Sequence, residues 1–152
     1  PGEVEAAFYS GTRNRIQGYL AGLAEFGVDP AAVPVFETQN NARTVGAALE
    51  HFYAEGRRPT ALLCMSDRSA LIALDWLRQR GLSVPGDVSV IGFDGVAEGE
   101  VSEPPLTTVA QPIDVMGRMA AEMILDGIDS PRRERFEVEL LVRQSTAAPR
   151  TG

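Results

Sequence analysis

The sequence of 152 residues contains no lysine, one cysteine, one histidine and no long apolar run. A lone thiol, Cys64, cannot form a disulfide within the chain, which excludes a disulfide-framework protein and favours a reducing compartment such as the cytoplasm. No apolar segment approaches the roughly 20 residues that span a bilayer, and we find no secretory apolar region. Because all 14 basic residues are arginine, the missing lysine indicates a GC-rich genome.

Other absences exclude whole classes of function. A formal net charge of −7 argues against binding of a nucleic-acid backbone by this segment itself. One cysteine and one histidine are too few for a soft-metal site, and no dinucleotide fingerprint, phosphate loop or nucleophile elbow is present. A triad of Ser66, His51 and Asp94 can be written, but His51 falls within a predicted helix. We therefore expect neither an enzyme nor a cofactor.

Apolar periodicity predicts helices that alternate with strands. This order predicts an α/β fold with an open, mostly parallel sheet and helices on both faces. The run 60–65 predicts a strand covered on both faces, and 144–152 a loosely ordered tail. The predicted helices run from Thr12 to Phe26, from Asn40 or Asn41 to Gly56, from Ser66 or Asp67 to Gly81 and from Pro112 to Asp126; the predicted strands cover 33–36, 60–65, 88–93, 106–109 and 136–142, and 128–135 is a polar connection.

Polar residues follow several predicted strands, where open α/β sheets bind ligands. Asp94 comes directly after an apolar strand and precedes Gly95, so its carboxylate can accept hydrogen bonds from a ligand. The alternative is that Asp94 only shapes the loop. Ser66 and Asp67 occupy an equivalent place, but both are residue types that cap helices, so capping alone also explains them.

Two arginines fall in the first turn of the first predicted helix. A helix N-terminus disfavours positive charge, so Arg13 and Arg15 suggest a ligand or a carboxylate partner nearby. A solvated arginine explains the pattern equally well.

Three sequence blocks together resemble one family. They are PTALLCMSD at 59–67, GLSVPGDVSVIGFD at 81–94 and PLTTVAQP at 105–112, with an opening R-x-x-G-Y at 15–19 and a closing LVRQS at 141–145. In this order they resemble the effector-binding domain of lactose-repressor (LacI/GalR) family transcription regulators, from about residue 10 to 146.

The resemblance implies a periplasmic-binding-protein-like fold of two α/β subdomains with a sugar or nucleotide base between them. Residues 1–108 and 137–152 would form the C-terminal, effector-binding subdomain. Residues 109–136 would form a crossover strand and helix that pack with an N-terminal subdomain. The chain starts without an initiator methionine, and we expect it to lack that subdomain, which would leave the apolar face of this helix exposed.

The function that the resemblance implies is sensing of a small polar effector, with a sugar as the expected ligand. Operator DNA would be bound only through a separate helix-turn-helix headpiece, in a cytoplasmic homodimer without membrane contact. A periplasmic sugar-binding protein of a transporter is the alternative. By resemblance, the dimer interface would include Leu71, Val101 and Ser102.

The resemblance also assigns ligand contacts. Arg15 matches the family's effector-binding arginine, whose planar fork can bond two vicinal hydroxyls or a carboxylate. Asp94 matches the family's effector-binding aspartate. Ser66 stands where many members have asparagine, and Asn40 lies in 39–41, which aligns with a stacking position but has no aromatic residue. We expect all four residues to contact the effector.

Overall fold

The computed structural model of the protein describes residues 10–127 and 134–148. The predicted alternation of helices and strands is confirmed over most of this part. The helices are α1 Ser10–Glu25, α2 Ala42–Ala54, α3 Asp67–Gln79, α4 Ala97–Glu100 and α5 Ile113–Leu125, with a 3-10 turn at Pro30–Ala32; the strands are β1 Ala61–Leu63, β2 Ser89–Asp94, β3 Thr107–Ala110 and β4 Glu139–Leu141. Residues 128–133, most of the predicted polar connection, lie outside the described part.

The four described strands form one mixed sheet in the order β1-β2-β3-β4. β1, β2 and β3 are parallel, with Leu62 opposite Val90 and Ile91 opposite Thr107. β4 runs antiparallel to β3. The predicted open, mostly parallel sheet is therefore confirmed, and the carboxyl ends of its three parallel strands meet at one edge.

The core lies between one face of the sheet and helices α2 and α3. Apolar residues recur along α3 at helical spacing and face the sheet. Leu77 of α3 and Val90 of β2 are both fully buried in one cluster. The cluster comprises Val45, Leu49, Ala70, Ala73, Leu74, Trp76, Leu77, Val88, Val90 and Leu106. This packing fixes the start of α3 against the ends of β1 and β2.

The prediction that 60–65 is covered on both faces is wrong. β1 spans only Ala61–Leu63, and it is an edge strand of the described sheet. Leu62 packs against the core, whereas Ala61 is exposed and Leu63 is 39% exposed. An apolar run does not reveal whether a strand is central or lies at an edge, and here helices α2 and α3 cover only the face of Leu62.

The predicted strand over 33–36 does not form in the described structure. Pro34 has no N–H group to donate to a ladder, and the potential partner, β1, is only three residues long. Phe36 instead packs edge to face on the ring of Phe52 in α2, with 5.8 Å between ring centroids. Packing on a helix has replaced strand pairing for this segment.

Helix α1 also departs from its predicted limits. It already includes Ser10, so Thr12 lies within the helix and does not cap it. The helix ends at Glu25, and Phe26, expected on its inner face, is 88% exposed. Gly27 adopts the predicted positive φ, +80°, after the helix end.

The tail is predicted to be loosely ordered, but 144–147 are hydrogen-bonded to β2, β3 and the loop before β3. Ser145 is fully buried; its Oγ donates to the carbonyl of Val90 at 2.6 Å and accepts from the N–H of Thr107 at 2.8 Å. The N–H of Val90 donates to the Ser145 carbonyl at 2.8 Å. The prediction is therefore wrong for 144–147, because β2 starts before its pairing with β3 and this segment satisfies its backbone. Residues 149–152 lie outside the described residues.

Replacing Ser145 by alanine should lower the free energy of unfolding by about 1–3 kcal/mol, since a buried amide and a buried carbonyl both lose their partner. Urea denaturation followed by circular dichroism measures the change. Ser102→Ala is the control, because that hydroxyl is only half-buried in a loop. Equal stability of Ser145→Ala and the unmodified chain would contradict this assignment.

Helix α5 has no buried residue, although most of its side chains are apolar. Ile113 is 52% exposed, Ile124 76% and Leu125 84%. The expectation of an uncovered apolar face on this helix is confirmed for this chain. None of the described helices is long and apolar enough to cross a membrane.

Candidate functional site

Arg15 lies across the carboxyl ends of β1 and β2. Its Nη1 donates to the carbonyl oxygen of Met65, which follows β1. Its guanidinium carbon lies 3.5 Å from the centroid of the Phe93 ring, near the end of β2. The sequence suggested a ligand or a carboxylate, whereas the partners in the structure are a carbonyl and an aromatic face. This arrangement aligns the planar guanidinium along this edge.

Asp94 ends β2 in an unusual backbone conformation. Its φ is +126°, a backbone conformation that residues other than glycine rarely adopt. Gln111 bonds it twice: Nε2 donates to Oδ1 at 2.9 Å, and the Gln111 N–H donates to the Asp94 carbonyl at 3.1 Å. Helix α4 has Val96 at its N-cap position, so Asp94 does not cap the helix that follows. A strained, half-buried carboxylate at a strand end is typical of a functional residue.

Asp67 does not cap α3, although its residue type and position suggest that role. Ser66, not Asp67, caps α3, with its Oγ accepting from the N–H of Ser69 at 3.2 Å. Asp67 is fully buried, and its Oδ2 accepts from the N–H groups of Gly95 and Val96, each at 2.8 Å. Because aspartate is common at helix starts, residue type alone could not distinguish a cap from this contact.

Ser66 and Asn40 are brought together at the same edge. The Ser66 hydroxyl donates to Asn40 Oδ1 at 3.0 Å, and the Ser69 hydroxyl donates to the same oxygen. Asn40 has a positive φ of +53°, and its carbonyl accepts from Arg68 Nε at 2.8 Å. The side-chain oxygen of Asn40 therefore joins the loop before α2 to the start of α3.

The electrostatic environment raises the pKa of Asp94. Burial is the main cause, and the charge of Asp67 acts in the same direction. Arg15 and the hydrogen bond from Gln111 oppose the increase. Tyr19, one turn after Arg15 on α1, has a raised pKa chiefly because of burial. Perturbed groups gathered at one edge of a sheet mark a candidate site.

The raised pKa of Asp94 predicts a pH dependence of folding. A carboxyl whose pKa is higher in the folded chain is protonated more readily there than in the unfolded chain. The stability that this protonation contributes is fully present below pH 3.8, the usual Asp value, and is lost as pH rises through the folded pKa. Between these limits the unmodified chain should lose stability relative to Asp94→Asn. Urea midpoints of both chains at several pH values measure this, and parallel curves would contradict it.

The three residues that the resemblance assigns to a dimer interface differ in their exposure. Val101 is 85% exposed. Leu71 is half-buried against the core cluster, and the Ser102 hydroxyl donates to the carbonyls of Gly99 and Pro104. In this chain the exposed surface at these positions is therefore mainly that of Val101.

A concave region lies beside α2 and α3. Its volume is about 370 Å³, and Tyr53, Trp76 and Arg80 contribute to its lining. The Arg80 guanidinium stacks 3.8 Å from the Trp76 ring centroid and pairs with Glu50. Trp76 is about 15 Å along α3 from Ser66, from the helical rise, so this depression is separate from the strand-end edge.

At that edge the chain offers a carboxylate, a guanidinium and a hydroxyl. Asp94 can accept two hydroxyl protons and Arg15 can donate to oxygen atoms. Ser66, whose hydroxyl hydrogen goes to Asn40, can accept one more hydrogen bond. Such a set suits a small ligand with several hydroxyl groups. Among the residues that the structure describes, no group of three or more histidine, cysteine or acidic side chains could hold a metal ion.

Comparison with known proteins gives a consistent result. The family model for the periplasmic binding protein-like domain matches residues 3–146. The HTH-type transcriptional repressor PurR of Vibrio campbellii is 36% identical over 137 residues, which are 88% of this chain and 41% of that protein. The chain thus spans about two fifths of the length of this curated relative.

Two solved structures of similar fold are LacI-type regulators. A LacI-type transcription regulator from Bifidobacterium animalis subsp. lactis aligns with TM-score 0.83 and 31% identity, over 97% of this chain and 55% of that one. A LacI family transcriptional regulator from Enterococcus faecium, solved with bound ribose, aligns with TM-score 0.78 and 28% identity, over 90% of this chain and 52% of that one.

Proposed function

The chain belongs to the periplasmic binding protein-like domain family in the form found in LacI-type transcriptional regulators, and we propose that it is the effector-sensing half of such a regulator. Asp94 carries this proposal: a half-buried carboxylate held at φ +126° at the carboxyl end of β2. Strained backbone of this kind is concentrated at ligand-binding and active sites, which supports a ligand-binding role for this carboxylate.

We infer that the effector is a sugar. Support comes from the polar set of Arg15, Asp94 and Ser66, from Asn40 beside Ser66, and from the ribose bound in the related Enterococcus faecium regulator. Segment 39–41 has no aromatic side chain to stack on a nucleotide base. No enzymatic step is proposed, since the curated relative is a repressor.

The division of the chain follows from the same proposal. Residues 1–108 and 137–152 would form the effector-binding subdomain, and 109–136 the crossover. The uncovered face of α5 supports this division, because an apolar helix without buried residues suits packing against another subdomain. The full-length polypeptide would then add a first subdomain and a helix-turn-helix headpiece, and would work in the cytoplasm as a dimer with Leu71, Val101 and Ser102 near the interface.

In this mechanism the effector closes two subdomains around the strand-end edge. A ligand shifts the balance between the two arrangements only if it binds one of them more tightly. The headpieces would therefore bind operator DNA differently with and without ligand. The periplasmic-receptor alternative has no support among the relatives described above.

Fluorescence anisotropy tests the proposal. The probe is labelled DNA from upstream of the gene, titrated with the full-length polypeptide with and without D-ribose, D-glucose, D-galactose and sucrose. At least one sugar should change DNA affinity by about 5–150-fold, the usual range of allosteric coupling. DNA binding that is unaffected by every sugar, or absent altogether, would contradict the proposed function.

A further inference from the structure

We propose that Asp67 is the positioning residue of the effector site, the group that holds Asp94 in its strained conformation. This inference rests on the proposed function only for what Asp94 binds. The contacts of Asp67 itself are independent of any ligand.

The first observation is that both oxygens of the buried Asp67 carboxylate accept hydrogen bonds. Burying a carboxylate is costly unless hydrogen bonds replace water. Oδ2 accepts the N–H groups of Gly95 and Val96, and Oδ1 accepts the hydroxyl of Thr108 at 2.5 Å. A single side chain at the start of α3 thus joins the turn after β2 to β3.

The second observation is which amides are bound. Gly95 and Val96 directly follow Asp94, so Asp67 fixes the chain on the carboxyl side of the strained residue. Gln111 bonds the Asp94 carbonyl and carboxylate from β3's end. With Asp94 held by Gln111 and the two following amides held by Asp67, the unfavourable φ of Asp94 is maintained by its surroundings.

The third observation is the room made for this contact. A Cβ atom added at Gly92 would lie 2.1 Å from Asp67 Oδ1 and 3.2 Å from Asp67 Cα. A Cβ at Gly95, which has φ +81°, would lie 2.6 Å from the Cβ of Ala110. Any larger residue at either position would displace the carboxylate or the turn, so both glycines suit this arrangement.

The test uses the full-length polypeptide and two measurements. Calorimetry gives the affinity for the sugar that binds best among D-ribose, D-glucose, D-galactose and sucrose. Amide hydrogen exchange gives the protection of Gly95 and Val96, with Val90 and Leu77 as core references. Asp75→Ala is the matched control, because this carboxylate is exposed on the same helix.

Asp67→Ala should weaken sugar binding by roughly 30-fold or more and speed exchange at Gly95 and Val96 at least about tenfold, with the core references unchanged. Asp67→Asn should remain within about threefold in affinity, because its amide oxygen can accept both N–H groups and its NH₂ can donate to Thr108. If Asp67→Ala does not fold, Thr108→Val, which removes one hydroxyl, should still weaken binding several-fold by the loss of one such bond.

Faster exchange at Gly95 and Val96 with unchanged sugar affinity would overturn the proposal, since Asp67 would then be only structural. Equal loss of affinity in Asp67→Asn and Asp67→Ala would also overturn it, because charge rather than position would be responsible. If the unmodified polypeptide binds no sugar, the proposed function fails, while the exchange measurement still decides whether Asp67 holds the turn.

Discussion

Replacing Asp94 by glycine should reduce sugar affinity of the full-length polypeptide on the order of 100-fold or more. A carboxylate that accepts two hydroxyl protons makes two charge-assisted hydrogen bonds, each worth roughly 1.5–3 kcal/mol, and every 1.4 kcal/mol or so is a factor of ten in affinity. Calorimetry against D-ribose, D-glucose, D-galactose and sucrose measures the loss. Asp75→Ala should bind like the unmodified polypeptide.

The same substitution should make folding more favourable. Glycine adopts φ +126° freely, whereas aspartate in this region is strained. Relief of that strain, about 1–3 kcal/mol, outweighs the roughly 1 kcal/mol of the lost hydrogen bond from Gln111. The net expectation is a gain of about 1 kcal/mol in the free energy of unfolding. Weaker binding together with higher stability separates a ligand-binding role from damage to the fold. Retained affinity in Asp94→Gly would refute the assignment of Asp94 to the effector site.

The 152-residue chain alone should bind sugar at least about 100-fold more weakly than the full-length polypeptide. In the proposed function its strand-end edge is only one side of the effector cleft, and small-ligand sites usually enclose 70–90% of the ligand surface. Loss of half of the enclosing contacts removes several kcal/mol of binding free energy, at about 1.4 kcal/mol per factor of ten. Calorimetry on both proteins, with the same sugar and buffer, makes the comparison.

A matching control is full-length polypeptide that carries Asp94→Gly, which should bind as poorly as the short chain. Micromolar binding by the short chain would contradict the claim that two subdomains enclose the effector. It would also leave the uncovered face of α5 without the explanation given above.

The sequence predicted those parts of the fold in which local pattern and tertiary packing agree. The segment of β2 follows a turn and is rich in β-branched residues, which predicts a strand. The structure agrees, with Val90 of this strand fully buried. α3 shows apolar residues at helical spacing and a serine cap. Asp94 could be selected because the carboxyl end of such a strand is where open sheets bind ligands.

The remaining features depend on partners far away in sequence. Ser145 is buried because it meets Val90 and Thr107, and nothing in the composition of the tail indicates those contacts. Asp67 was hidden by its residue type, since a helix start accounts for aspartate without a buried role. Periodicity predicts Phe26 on the inner face of α1, but this prediction is wrong because no described part of the chain covers the Phe26 side chain.

The most direct test is a crystal structure of the full-length polypeptide with the tightest-binding sugar. We predict that sugar hydroxyls lie within hydrogen-bond distance of the Asp94 carboxylate and the Arg15 guanidinium, at the carboxyl ends of β1 and β2. A sugar bound instead in the depression beside Trp76 and Arg80, or an Asp94 carboxylate without any ligand contact, would contradict the account.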